Sequence, residues 1–503
     1  MRTVPVVIVG AGPTGITAAM LLAHRGVECL VLDKSEGVYP LPRAVHLDDE
    51  VYRILARLGI AAEFAAISWP CRGLRLVDRD LRVLVEFERD AARGRHGFPQ
   101  ANMFDQPELE AVLRATAQRF GHLTIRQNAR VTALAQDDSG VSVEITDTLT
   151  GTEDQVRAEY VLGCDGAGSL VRDCIGTDMR DLRFAQRWLV VDVATSADLG
   201  QWEGVHQVCD PGRAATYMRI GKTRYRWEFR LNPGESADDF RQIGRLHPLI
   251  AAWTRDVPAT ELQIVRAAEY TFRAQVARRW RDRRLFLLGD AAHLTPPFIG
   301  QGMGAGMRDA LNLTWKLAGV LAASLPKSVL DTYQAERKPH ATTMIRLAKL
   351  IGSAMTEGGE LGNILRRAVA PRLRLLPGPN DQIISSQTPA LRRSRLVLRP
   401  RLRLRHGLAG SLCPNADLGD GRRLDEATAG RFAVLTTVSP SADLVAEGRR
   451  RGGIILDVGP GTALDQWLRR GRARAAVVRP DGTVLYSGRD LSAACAALPA
   501  GPP

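Results

Sequence analysis

At 503 residues the chain exceeds what one compact core accommodates, so two or three domains are expected. Hydrophobic residues at 45% and charged residues at 24% are those of a globular protein and exclude a disordered or collagen-like chain. The net charge of +13 raises nucleic acid as a partner, but eleven arginines and one acid, Asp381, between Arg366 and Arg405 carry +10 of it without interleaved aromatics, the pattern of a solvated basic linker.

The opening MRTVPVVIVGAG is too short an apolar run for a signal-peptide core, and no run of 18 apolar residues follows it. Seven cysteines, an odd number without C-x-x-C, read as reduced thiols. A cytoplasmic protein that touches neither membrane nor nucleic acid is the expectation. The nine histidines show no metal-ligand spacing, so no metal is expected.

Val6 to Val9 predict a buried strand, Gly10-Ala11-Gly12-Pro13-Thr14-Gly15 a tight loop, and Ile16 to Arg25 a helix. This is G-x-G-x-x-G between strand and helix: Gly10 for the turn, Gly12 for the approach of a pyrophosphate, Gly15 for close helix–strand packing. Cys29 to Leu32 form the second strand, and Asp33 at its end, 18 residues past Gly15, is placed for an adenosine ribose 2′-hydroxyl. An acid there argues against a 2′-phosphate, so the dinucleotide is FAD or NAD.

Pro42 to His46 read as a loop, with a helix beginning at Asp48 and stopped by Gly59. Arg43 is a candidate for a phosphate or a flavin edge, or a plain surface arginine; His46 could approach a substrate, or be a solvated loop histidine. Leu74 to Val77 and Val83 to Phe87 are short strands, and a helix follows from Pro107. Gln106 is either an amide donor to a cofactor oxygen or that helix's cap. Val131 to Gln136 and Val141 to Thr146 pair as a hairpin, and Asp165-Gly166 turns a strand into the next helix.

From Leu189 to Arg266 the pattern changes to short strands, the last of them at Leu262 to Tyr270, a mostly antiparallel layer inserted into the nucleotide-binding frame. Its aromatics Trp188, Tyr217, Tyr225, Trp227, Phe229, Tyr270 and Phe272 suggest an apolar pocket facing a cofactor. Leu285 to Leu288 form a buried strand ended by Gly289-Asp290. The Thr-Pro-Pro and Gly-Gln-Gly-Met-Gly run then excludes regular structure until about Gly304, where a helix begins. Glycines at 300, 302, 304 and 306 bare the backbone at a helix N-terminus, a place for an anion, and Asp290 could bind ribose hydroxyls. The bland alternative is a tight strand-to-helix turn. A helix spans Val329 to Ile351, and Leu398 to Arg405 alternate like a half-buried strand. From about Gly407, segments at Asn415 to Leu418, Phe432 to Leu435, Ile454 to Val458, Leu464 to Leu468, Ala475 to Val478 and Thr483 to Tyr486 give a small β/α module, with a hairpin turn at Asp481-Gly482.

Taken together, Gly10 to Gly15, Asp165-Gly166 and Gly289-Asp290 resemble, in order and spacing, the class A flavoprotein monooxygenases, the family of para-hydroxybenzoate and phenol hydroxylases. PRAVHLDDE, FPQANMFDQPELE and RRLFLLGDAAHLTPPFIGQGMGAGMRDALNLTWKL look most like the 3-(3-hydroxyphenyl)propionate hydroxylases and the aromatic-polyketide hydroxylases. The resemblance covers residues 1 to about 350, and the tail resembles their thioredoxin-like domain, without its C-x-x-C. It implies an α/β fold: a Rossmann-like FAD-binding domain in two parts (1–175 and 269–353), an inserted β-sheet substrate domain (176–268), a basic linker (354–405) and a thioredoxin-like domain (406–503).

By the same resemblance Gly10, Gly12, Gly15, Asp33, Lys34, Arg43, Gln106, Gly289, Asp290, Pro297, Gly300, Gly302, Met303 and Gly304 would contact FAD, and the Asp165 motif would serve FAD and a transient NADPH or NADH. In that family FAD reduced by NAD(P)H reacts with O2 to a C4a-hydroperoxide that hydroxylates an electron-rich ring. Pro296 and Pro297 would line the reaction side of the flavin, and a base for the phenol is wanted, with His46 first and Tyr217 and Tyr270 after it. The resemblance thus implies a phenolic substrate, a phenylpropionate or a polyketide, and a monomer or homodimer. A Baeyer–Villiger oxygenase and a flavin reductase or dehydrogenase share the motifs and stay open as alternatives.

Overall fold

The computed structural model describes residues 2–40, 43–356, 388–399 and 407–499. The apolar run at the start becomes β1 (Arg2–Val9), flanked in parallel by β2 (Cys29–Leu32) and β11 (Glu153–Gly163). An almost unbroken apolar run suits a strand covered on both faces, and Val6, Val7 and Ile8 are fully buried. The sheet continues through β8 (Leu123–Arg126) beside β2, and through β18 (Leu285–Leu287) and β17 (Arg281–Asp282) beyond β11. The hairpin of β9 (Ala129–Gln136) and β10 (Val141–Asp147) branches from β11. Helix α1 (Pro13–Ala23) packs against β2 and against α7 (Gly302–Leu321), so the two glycine-rich turns meet. The second of these helices starts at Gly302, two residues before the sequence suggests.

A second eight-stranded sheet runs in the order β19 (His293–Leu294), β16 (Gln263–Ala277), β12 (Met179–Ala194), β15 (Arg224–Arg230), β14 (Ala215–Arg219), β13 (Val205–Val208), β5 (Gly73–Val77) and β6 (Val83–Glu88). Every pairing is antiparallel except β13 with β5. Its last two strands come from well before residue 175, outside the 176–268 bounds expected for the inserted layer. One face is covered by α6 (Ile243–Thr254), whose Leu246, Ile250 and Trp253 are buried. Gly244 and Pro248 mask this helix in the sequence by interrupting its apolar period.

A three-stranded sheet of β3 (His46–Asp48), β7 (Ala101–Phe104) and β4 (Ser68–Pro70) bridges the two large ones. It hands over to α2 (Asp49–Arg57), α3 (Ala61–Ile67) and α4 (Gln106–Ala117), while α5 (Leu170–Ile175) and α8 (Asp331–Thr356) follow later in the chain. Asp48 caps α2 by accepting from the Val51 amide at 2.9 Å.

The C-terminal module has a four-stranded sheet in the order β21 (Gly453–Asp457), β20 (Phe432–Thr436), β22 (Ala475–Val478) and β23 (Val484–Gly488), parallel only between β20 and β21. Helices at Leu424–Thr428, Ala442–Arg450, Ala463–Arg470 and Leu491–Ala496 flank it. Asn415 to Leu418, one of the segments expected in this β/α module, form only a single bridge at Asp417, and the Asn415 side chain accepts from the Asp425 amide of the next helix. Most of the basic segment 354–405, with most of the alternating strand expected at Leu398 to Arg405, lies outside the described residues.

Buried charges bolt this module to the rest. Asp425 accepts from Arg53 (2.6 and 2.5 Å) and Arg57 (3.0 and 2.7 Å) of α2. Glu336 of α8 accepts from Lys316 and Arg479, both at 2.9 Å. Arg479 also pairs with Asp481, which accepts from the Trp315 indole. Burial lowers the Lys316 ammonium to about 8 in spite of Glu336. Among the described residues no helix is long and apolar enough to cross a membrane, and no group of three or more acids, histidines or cysteines could hold a metal.

Candidate functional site

Between the two large sheets lies a cavity of about 520 Å³. Gly12, Pro13 and Thr14 of the first turn form one wall, Pro297 to Gly300 with Gly302 and Met303 a second, and the face of the second sheet turned away from α6 its floor. Arg43 stands on its edge.

Local sequence explains these walls. Gly10 has φ +101°, and a Cβ on it would lie 2.4 Å from the Cys164 carbonyl oxygen, so the first turn runs hard against the end of β11. Gly300 has φ +60°, and a Cβ there would meet His46 Nδ1 at 2.7 Å. Gly12 and Gly302 are of another kind: a Cβ on either would meet nothing within 4 Å, because both face the cavity. Each stands at the start of a helix without a side-chain cap, so the first amides of α1 and α7 point toward open space. Bare backbone, two helix N-termini and open depth fit a dinucleotide such as FAD.

Asp33 ends β2 half-buried. Its carboxylate accepts from the Ala11 amide at 2.6 Å and from the Ser35 amide at 2.8 Å, which fixes it beside the first turn. Arg114 reaches over from α4, 4.0 Å from Asp33, and donates to the Ala11 carbonyl at 3.0 Å. Lys34 is exposed, away from the cavity lining.

Gln106 is the first residue of α4 and does not cap it; that position falls to Asp105, whose carboxylate pairs with Arg224. Its side chain instead splints the Arg43 loop: Oε1 accepts from the amides of Arg43 (3.0 Å) and Ala44 (2.6 Å), while Nε2 donates to Glu110 at 2.7 Å. Arg226, held by Asp192 at 2.7 and 2.9 Å, donates to the Arg43 carbonyl at 3.1 Å. The Arg43 guanidinium lies over the Tyr39 ring, 4.7 Å from its centre. The backbone is thus fixed and the cation left at the rim.

Asp290 opens onto the cavity, and its low-dielectric surroundings raise its carboxyl, opposed by His293 and Arg43. Gly289 beside it donates to Asp309 at 3.1 Å. Buried Asp309 also contacts His293 at 2.7 Å and Arg337 at 2.8 Å; the Arg337 charge first, and the bond to His293 after it, outweigh the effect of burial and hold its carboxyl low. Asp165 does not line the cavity: it accepts from the Ser169 hydroxyl (2.6 Å) and the Val171 amide (3.1 Å), shaping the turn so that Gly166 and Ala167 do. Gly304 faces inward, where a Cβ would meet Val51 and Arg308 at 2.9 and 3.0 Å, so this glycine serves helix packing. Pro297 lines the cavity, and Pro296 precedes it outside the lining.

His46 lines the cavity with Nδ1 3.4 Å from the Gly300 carbonyl. Burial first, then the Arg89 charge, lower it to about 4, so it is neutral at neutral pH. Tyr270 lines the cavity, with the Arg266 guanidinium 4.8 Å from its ring centre. Tyr217 does not. It points through the sheet to the α6 side, 5.9 Å from the Trp253 ring and 5.3 Å from that of Trp227, and burial raises its hydroxyl well above 10. Tyr225, Trp227 and Phe229 lie on the same far side, correcting the expectation of one aromatic pocket; of that set Tyr270 and Phe272 reach the cavity.

The reason is the period of two. On β14 and β15 the residues between those aromatics, Thr216, Met218, Arg226 and Glu228, are the ones that form the floor. Reading RYRWEFR for its polar rather than its aromatic members reveals them. Burial raises the Glu228 carboxyl, against the pull of Arg226 and Arg266. Arg89 and Gln207 are further polar members of the lining that sequence reasoning missed, as are Thr271, Arg273 and Thr295.

Residues 3–348 match the family model described as FAD binding domain. Over 356 residues the chain is 39% identical to a probable NADH-specific resorcinol 4-hydroxylase of Rhodococcus jostii (strain RHA1), covering 71% of this chain and 66%, just under two thirds, of that protein. It is 33% identical to a 3-(3-hydroxy-phenyl)propionate/3-hydroxycinnamic acid hydroxylase of Burkholderia cenocepacia (strain HI2424), covering 86% and 78%. Among solved structures, the ternary complex of aklavinone-11 hydroxylase with FAD and aklavinone superposes with a TM-score of 0.81 over 98% of this chain and 97% of that one; at 24% identity this is a likeness of fold.

Proposed function

The chain belongs to the FAD binding domain family, and from that premise we propose that it is an FAD-dependent monooxygenase that uses NADH and O2 to hydroxylate a small phenolic ring. The observation that carries the reading is the shared cavity. The bare backbones of Gly12 and Gly302 and the floor of the second sheet border one space, so a flavin and a ring would meet there.

When bound, FAD supplies the acceptor for the electrons of NADH and the means of activating O2. The chain's own part begins with holding it. Asp33, held beside the first turn, would bind the adenosine ribose, the amides at the starts of α1 and α7 the pyrophosphate and the ring, and Arg43 a phosphate or the flavin edge. Leu74, Val190, Val205, Met218, Phe272 and Phe298 then keep water from the reacting ring. A phenol of pKa ~10 becomes electron-rich as its proton leaves. Between Glu228 and His46, both on the cavity lining, Glu228 is the more basic candidate to take that proton, since burial lifts its carboxyl above the ordinary 4.5 while His46 is lowered to about 4.

The substrate class follows the relatives' names: resorcinol, or a 3-hydroxyphenyl acid whose carboxylate Arg43 at the rim and the buried Arg266 of the lining would receive. The mixed four-stranded sheet and flanking helices of the tail support a thioredoxin-like domain that acts as a brace, in a protein working as monomer or homodimer. The test is oxidation of NADH and NADPH by the purified yellow protein with a panel of such phenols under ¹⁸O2, followed by mass analysis. One labelled oxygen on the ring is the expected product. A ring-expanded ester would favour Baeyer–Villiger insertion, and NADH oxidation without any oxygenated product would favour a reductase.

A further inference from the structure

Gln207 sits on β13 with its side chain on the cavity floor, 4% exposed. Its two ends are used differently. Nε2 donates to the Phe298 carbonyl at 3.2 Å, in the turn Pro297–Ile299 that leads through Gly300 into α7. Oε1 is buried and has no hydrogen-bond partner among the described residues. A buried acceptor left without a donor is destabilising, so such an atom on a residue of a cavity wall marks a place where a ligand supplies the donor.

The chemistry of that donor is constrained. An amide oxygen accepts and cannot donate, and with Nε2 engaged by the Phe298 carbonyl the unpaired end of this cavity-lining amide is the acceptor. A carboxylate, an ether or a phenolate therefore gains nothing from Gln207, whereas a protonated hydroxyl does. Strand register adds the neighbours: Gln207 pairs with Thr216 on β14, and Thr216 with Glu228 on β15, so three polar side chains lie in one row across the floor. Val205 and Met218, on the same face, are apolar. A flat ring lying on this floor meets polar groups along one line only.

We propose that Gln207 is the specificity-determining residue for a substrate hydroxyl: Oε1 accepts from a neutral ring O–H while Nε2 keeps the Phe298 turn in place, so that the group that recognises the hydroxyl also holds the wall beside the flavin. This rests on the phenolic reading above and goes beyond it by naming the contact and the protonation state of the group recognised. For a dihydroxylated ring it assigns one hydroxyl to Gln207 and leaves the other to the acceptors of the floor.

The test is ligand binding to the FAD-loaded full chain, followed by the change in flavin absorbance without NADH, so that it does not depend on turnover. The probes are resorcinol against 1,3-dimethoxybenzene, and 3-(3-hydroxyphenyl)propionate against 3-phenylpropionate. The wild-type protein is expected to favour the hydroxylated member of at least one pair by roughly ten-fold. Gln207→Met, similar in length and without an acceptor, is expected to reduce that preference to within about two-fold, mainly by weakening the hydroxylated ligand. Gln207→Glu keeps an oxygen and removes the donor to Phe298, so it is expected to retain the preference. A side chain that only props the turn would make the two variants behave alike.

Where Gln207→Met loses FAD, Gln207→Asn, which withdraws the oxygen by one methylene, serves in its place with the same expected loss. The proposal is overturned if the wild-type protein shows no preference in either pair, or if the preference survives in the variant without the oxygen. It is equally overturned if that variant changes only the ligand-free flavin spectrum and FAD affinity, the result of an oxygen that serves the flavin's own ring N–H. Failure of the hydroxylase reading has a separate signature, the absence of oxygenated product from wild-type protein that still discriminates between the probes.

Discussion

Asp425→Ala tests how the C-terminal module is held to the nucleotide-binding frame. The carboxylate receives four hydrogen bonds from two arginines whose side chains are only 3% and 15% exposed. Burial opposes its charge, but Arg53 and Arg57 win and hold it far below the usual carboxylate range. The gross attraction overstates its worth, because the same burial penalises all three charges; what the variant measures is the cost of leaving two cations in place without their anion. That cost is about 3 to 5 kcal/mol for a buried pair broken on one side, and the lower end applies because Arg53 keeps its bond to the Cys413 carbonyl and Arg57 its bond to the Pro480 carbonyl. The assay is urea unfolding of the holoprotein at pH 7, followed by flavin release and tryptophan fluorescence, with a loss of about 3 kcal/mol expected. Since the folded carboxyl is depressed, its contribution is present above an unfolded pKa of ~3.9 and fades as pH falls below it, so wild type and variant converge in acid. A loss under about 0.5 kcal/mol at pH 7, in the range of ordinary surface changes, would refute the argument.

Four further outcomes follow from the site. Gly12→Val should fold normally, since a Cβ meets nothing there, yet lower FAD affinity by roughly ten-fold or more; Gly10→Ala, with its Cβ 2.4 Å from a carbonyl, should instead lose stability, and equal melting temperatures for the two would contradict this. Glu228→Gln should keep FAD and substrate binding while lowering kcat by roughly 10²-fold, and an unchanged kcat removes Glu228 as proton acceptor. Tyr217→Phe should leave kcat and KM within about two-fold, because its hydroxyl faces α6; a loss of ten-fold or more would place it back in the site. His46 is depressed from 6.5 to about 4, so the unfolded chain binds its proton first and stability present above pH ~6.5 is lost as pH falls toward 4: about 2 kcal/mol between pH 7 and 5, absent from His46→Asn and read by denaturant titration at the two pH values.

Sequence reading succeeded where one residue's chemistry is tied to its immediate neighbours. The turn at Gly10 to Gly15 and the strand–turn–helix at Leu285 to Gly304 are local: the first lies where the motif puts it, and the second differs by short regular pieces in the loop and a helix that starts two residues early, at Gly302. It failed where the answer depends on a face. Tyr217 and Thr216 are adjacent in sequence and on opposite sides of a sheet, and choosing between them requires knowing that α6 covers one side, while α6 itself is hidden by Gly244 and Pro248. Gln106 shows a different limit: its amide is engaged by Arg43, Ala44 and Glu110, partners up to 63 residues away that no motif announces. Asp165 and Gly304 belong to recognisable motifs, yet each does its work one step back, on the loop or helix that presents the cavity-lining backbone.

The second sheet carries two independent messages in one strand. On β14, Ala215 and Tyr217 face the core against α6, while Thr216 and Met218 face whatever the cavity receives. Selection can therefore rewrite every second letter of this strand for a new substrate without disturbing the letters that keep the protein folded. Libraries at Val205, Thr216 and Met218 should yield altered ligand preference at a smaller cost in melting temperature than the same number of changes at Ala215, Tyr217 and Trp227, with Met218, which packs on Val45 and Met103, the costliest of the three. Such a sheet is a scaffold whose ligand range can drift quickly while its architecture stays still.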